Sequence, residues 1–154
     1  MTSFPFSAGQ VLTAAQLNEI GEYESFTPSW VNITTTGGTN TGAKFRTNDM
    51  QLLQVKFVLG SSSSVDGSVQ LTLPDDAHYD HWQMAGTCWY HDTSAGKLRN
   101  GHAVVTSATT VNFYGFFGGT SSTVTFSQGV TATTPMTWNT GDSLTAMILY
   151  RVGT

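Results

Sequence analysis

Charge is what this chain has least of: six Lys and Arg and ten Asp and Glu make up 10% of its 154 residues, against about 25% in an ordinary soluble domain. Disorder does not explain the deficit, because disordered chains are poor in apolar and aromatic residues, and this one is 39% hydrophobic and 12% aromatic. Thr, Ser, Asn and Gly fill the gap. They suit strands and tight turns and give a neutral polar surface of the kind found outside cells and in large assemblies. A net charge of −4 and a pI near 5.3 leave no basic footprint for nucleic acid or an anionic membrane. No apolar run approaches the ~20 residues that span a bilayer, so membrane insertion is not expected. The N-terminus also lacks the basic and apolar regions of a secretory leader. The single cysteine, Cys88, cannot form an intrachain disulfide and lies in the strand-like TCWYH, where it reads as a buried thiol. The length is one domain's worth, enough for a core without disulfides or metal.

What is present falls into two parts. In FSAGQVLTAAQLNEIGEY, residues 6–23, Thr13 is a helix N-cap with Gln16 three positions later. That is the capping-box spacing, in which each side chain satisfies a free backbone N–H of the other. Leu12 before the cap and Leu17 after it form a hydrophobic staple. Leu17, Ile20 and Tyr23 share a face, while Asn18, Glu19 and Glu22 point elsewhere, and Gly21 weakens the helix near its end. So short a helix is marginal alone and must pack on something, either its own domain or another protein.

After Phe26-Thr27-Pro28 the period changes from helical to two-residue. Leu53, Val55, Phe57 and Leu59 alternate with polar neighbours; so do Val69, Leu71 and Leu73, and later Leu144, Ala146, Ile148, Tyr150 and Val152. Further strands are expected in SWVNITT, QMAGTCWYH, GHAVVTS, TTVNFYGFF and STVTFSQ. The triplet Asn32-Ile33-Thr34 matches a glycosylation acceptor but reads as strand sequence. Many short strands with frequent turns and no second helix predict a mainly β fold, an antiparallel β-sandwich of jelly-roll type with a short N-terminal α-helix. The division is residues 1–26 as arm and attachment helix and residues 27–154 as the β domain. From residue 100 to 141 there is no Asp, Glu, Lys or Arg, although a lone sheet protects its edges with charge. Coverage by neighbouring subunits is one explanation and a solvated Ser/Thr face is the other.

Enzyme chemistry is not expected. No G-x-S-x-G elbow surrounds a serine. The Gly-rich turns GGTNTG and FFGGTSS lack the Lys-Ser/Thr ending of a phosphate loop. The acidic residues cluster in the helix and one loop rather than facing each other as glycosidase carboxylates would. That loop, LPDDAHYDHWQ, holds Asp75, Asp76, His78, Asp80 and His81, ligand types for a transition metal, but without an offset that aims them at one point. It is read as a polar loop, with no metal and no cofactor. Trp82, Tyr114 and Phe116 are the candidates for stacking on sugar rings or on a partner. In FYGFF neighbouring residues face opposite sides, so part of it must meet a second layer, a partner or a ligand.

Phe6-Ser7-Ala8-Gly9-Gln10-Val11-Leu12-Thr13-Ala14-Ala15-Gln16-Leu17-Asn18 resembles the aG-x-V/L-L-T-A-A-x-L-N segment of tailed-bacteriophage structural proteins, among them minor tail proteins, fibres and head appendages. There it lies at or near an attachment region and precedes a Thr/Gly/Ser-rich β module. Phe26-Thr27-Pro28-Ser29-Trp30 and Gly141-Asp142-Ser143-Leu144-Thr145 are similar to the entry and last strand of such modules. The resemblance implies a virion location, other virion proteins of capsid or tail as partners, and a homotrimer. Val11, Leu12, Leu17, Ile20 and Tyr23 would form the attachment contact. A host surface glycan is the alternative partner, bound by a tail-tip or fibre module.

Overall fold

The computed structural model describes residues 23–47, 49–118 and 125–153; the expected helix, with Val11, Leu12, Leu17 and Ile20, lies outside them. Ten strands follow in chain order. They are β1 (Glu24–Phe26), β2 (Ser29–Thr34), β3 (Thr39–Thr47), β4 (Met50–Val58), β5 (Ser64–Thr72), β6 (Gln83–Asp92), β7 (Lys97–Val105), β8 (Thr110–Gly118), β9 (Thr125–Gly129) and β10 (Ser143–Arg151). All pair antiparallel in one sheet, ordered β1-β3-β4-β10-β6-β7-β8-β5-β2, with β9 also on β8. The sheet curls into a half-barrel around one core. Only Thr27 and Pro28 separate β1 from β2, the two ends of this path. The mainly β, antiparallel expectation is met, and β1, which the sequence division places with the arm, is a strand of the sheet.

Period-two alternation decides which side of each strand the core takes. On β4, Leu53, Val55 and Phe57 are buried and Gln54 and Lys56 are exposed. β10 is an interior strand: it pairs along its whole length with β4 and, on its other edge, with β6. Its Leu144, Ala146, Ile148 and Tyr150 complete the same inner face. Phe57 sits at the middle of an aromatic cluster, 5.1 Å from Trp30 and 5.4 Å from Trp138 between ring centroids. Trp30 reaches Phe113 at 5.7 Å, and Trp138 lies edge-on to Tyr90. The Trp30 indole N–H donates to Asn40 Oδ1 of β3, and the Asn40 amide donates to the Pro28 carbonyl, tying the last strand of the path back toward the first.

Two irregularities fit their residues. β2 bulges between Val31 and Ile33, and Asn32 at the bulge has a φ of 61°, a conformation Asn tolerates better than most residues. Its side-chain amide donates to the Ser68 carbonyl. On β6 a second bulge falls between Met84 and Gly86, where a Cβ on Gly86 would run into the Met147 carbonyl; glycine lets the strands approach.

Polar groups close the two ends. At one, buried Asp142 accepts from the Thr93 amide at 2.8 Å and the Asn139 amide at 2.7 Å, while its own carbonyl accepts from Leu59 N–H. Three segments meet on this one residue, two of them on its carboxylate. At the other end the loop after β5 crosses the rim: Ala77 N–H donates to Ala108, His78 N–H to Arg151, and Gly153 N–H to Asp76. There the Tyr150 hydroxyl donates to the Asp75 carbonyl, and burial raises the Tyr150 pKa. The Asp75 carboxylate lies 3.8 Å from Lys44 and 3.9 Å from Arg46. Gln51 is fully buried nearby, opposite Arg46 and Tyr150 in the ladder, and its amide nitrogen and oxygen have no hydrogen-bond partner.

Opposite stability changes are therefore expected at two buried polar residues, both read by urea unfolding. Asp142→Ala orphans two amides and should cost about 2–4 kcal/mol, with Asp142→Asn losing roughly half as much. Gln51→Met removes an unpaired buried amide at similar volume and should raise stability by about 1 kcal/mol or more.

Candidate interaction surface

The same alternation that fills the core sends the other half of each strand outward, and on the central strands that half is unusually apolar. Cross-strand partners define rows on this outer face. In one row Phe45 of β3 lies opposite Leu52 of β4, and Leu52 opposite Leu149 of β10. The row runs on toward Met84 beside the β6 bulge, which pairs with Val104 of β7. Tyr23, the first described residue, closes its near end with its ring 5.6 Å from that of Phe45. Met84 is 75% exposed and Leu149 50%. The next row is Ala43, Gln54, Met147, Thr87, His102 and Tyr114, and the third is Thr41, Lys56, Thr145, Trp89 and Asn100. Between the second and third rows lies an open groove of about 420 Å³ lined by Thr41, Ala43, Gln54, Lys56, Trp89 and Met147.

The sugar-stacking candidates divide. Tyr114 and Phe116 both lie against His102, at 5.3 Å and 5.1 Å between centroids, the first pair stacked. Trp82 is 64% exposed, but it stands beyond Met84, three side-chain rows from Phe116 by the ladder register, roughly 20 Å along the strands. Of FYGFF, Phe113 enters the core and Tyr114 and Phe116 face outward. Tyr90 is wholly buried, so it belongs to packing and not to a surface.

The residues weighed for chemistry are engaged in structure. Cys88 is buried with Sγ 2.8 Å from the Tyr90 hydroxyl, and burial pushes its thiol up to about 12, leaving no thiolate near neutrality. In the acidic loop Asp75 faces Lys44 and Arg46, and His78 Nδ1 lies 3.4 Å from Asp80 Oδ2. Among the described residues no three His, Cys, Asp or Glu side chains are grouped to hold a metal. Asp92, the last residue of β6, is pulled below the ordinary carboxylate value by the Ala95 amide and then the Ser94 hydroxyl of the β6–β7 turn. That is a turn-capping role.

Met84, Leu98, Met147 and Leu149, all exposed, are not among the sequence-based candidates. Met147 and Leu149 carried a usable signal: MILYRV is apolar on both strand faces, as a strand covered on both sides would be. No protein-family model, no curated protein and no solved structure matches this chain.

Burial lowers the pKa of His102, so the folded chain takes its proton later than the unfolded chain on acidification. Above the ordinary imidazole value both states are neutral. As pH falls through that value the unfolded state binds more protons and stability drops, until the lower folded pKa is passed. Thermal melts from about pH 7 to about pH 5 should show a decline that is shallower in His102→Gln.

Proposed function

We propose that this chain is a non-enzymatic structural protein of a phage virion, a capsid decoration or head fibre or a minor tail appendage. It is anchored through its N-terminal arm and displays a jelly-roll-like β domain, as a homotrimer. The observation that carries the reading is the apolar outer face. A well-packed domain with a buried thiol and tied loops leaves Met84, Trp89, Met147 and Leu149 exposed on one side. Contiguous exposed apolar surface of this kind marks a contact surface. It begins at Tyr23, where the segment bearing the phage-like motif joins the sheet.

In this mechanism Val11, Leu12, Leu17 and Ile20 supply apolar contact. Each fully buried side chain contributes about 1.5–3 kcal/mol, enough for stable attachment when several copies bind together. The grouping of Tyr114 and Phe116 around His102 favours a second reading, a host-glycan platform. Loss of glycan-array binding in a folded Phe116→Ala variant would support it.

Among the described residues the core and the side chains packed against it run from Phe26 to Val152, and a chain beginning at Tyr23 keeps all of them and should fold. It is expected to fail to join the particle, as scored by mass spectrometry of purified virions. Normal incorporation of that truncation would refute anchoring through the arm, and sedimentation of the full chain as a stable monomer at micromolar concentration would refute the trimer.

A further inference from the structure

We infer that the outer apolar row is the seat of the chain's own segment 13–22, which packs Leu17 and Ile20 across Phe45, Leu52 and Leu149 toward Met84. Three observations support this. The segment ends at the row itself, since Glu22 directly precedes Tyr23, whose ring lies on Phe45. Gly21 supplies the backbone freedom to turn the chain back over the sheet. The lengths agree: a helix from the Thr13 cap to Gly21 has nine residues, ~13.5 Å at ~1.5 Å per residue, and the three strand spacings from β3 to β6 total ~14 Å.

A connection of one residue favours the intramolecular seat. The effective concentration of a segment tethered at the edge of its site exceeds that of the same segment on another molecule in dilute solution. The inference rests on reading residues 1–26 as the attachment part and reassigns labour within it. The helix holds to its own sheet, and residues 1–11, with Phe4, Phe6 and Val11, extend from a fixed point to reach the partner.

The test uses the full chain. Leu17→Cys is combined with Leu52→Cys or with Leu149→Cys, and differently tagged versions are mixed at low concentration before mild oxidation; buried Cys88 stays out of the reaction. A disulfide within one chain in at least one pair is expected, seen as a monomer that loses two hydrogens in mass. No disulfide in either pair, or disulfides chiefly between tags, would overturn the seat. Independently, Leu17→Asp with Ile20→Asp should speed peroxide oxidation of Met84 and Met147 several-fold, and an unchanged rate would count against it. Mass spectrometry of purified virions for the unaltered chain separates the two ideas: an intrachain disulfide in the cysteine pairs together with absence of the unaltered chain from virions leaves the seat standing and removes the virion reading.

Discussion

Phe57 is the point on which the curl of this sheet depends. Its ring touches Trp30 from the last strand of the pairing path and Trp138 from the segment before β10, while its own strand lies between β3 and β10. A flat sheet could not bring β2 and β4 onto one ring; a curled one does, and the interior then has a single centre. Trp30 also spends its polar edge on Asn40, so the closing residue is satisfied in both its apolar and its hydrogen-bonding character. Packing around such a ring is close to that of a crystal, and small losses of volume are felt across all the strands it joins.

With one face of each strand committed to that centre, the other face has no freedom to share the burial. The outward residues of β4, β10 and β6 must meet either water or another surface. On β4 they are Leu52, Gln54 and Lys56, and on β10 they are Leu149, Met147 and Thr145. The apolar character is therefore greatest in the row of Leu52 and Leu149 and gives way to polar residues along both strands.

The interior fold follows closely from the chain's pattern. Leu53, Val55, Phe57 and Leu59, the Val69 to Leu73 set and the Leu144 to Val152 set all lie where alternation places them, because a two-residue period leaves one arrangement that buries them. Cys88 likewise followed from its neighbours. The surface was legible only in part. Tyr114 and Phe116 were singled out as outward aromatics and they do meet around His102, whereas Trp82 belongs to a distant part of the same face. Spacing along one chain carries no information about which strands become neighbours, and the row Phe45, Leu52, Leu149 draws on three of them.

By itself, then, the sequence determined a mainly β antiparallel domain, the core residues of three of its strands and the thiol as buried, since each depends on local period and burial. Tertiary structure alone decided that β10 lies between β4 and β6 and that the acidic loop turns Asp75 toward Lys44 and Arg46. It also decided that outward apolar residues from separate strands fuse into one face. The reason is physical: strand pairing is fixed by backbone hydrogen bonds, which are chemically the same for every strand, so the order in which strands meet emerges only when the whole core is packed at once.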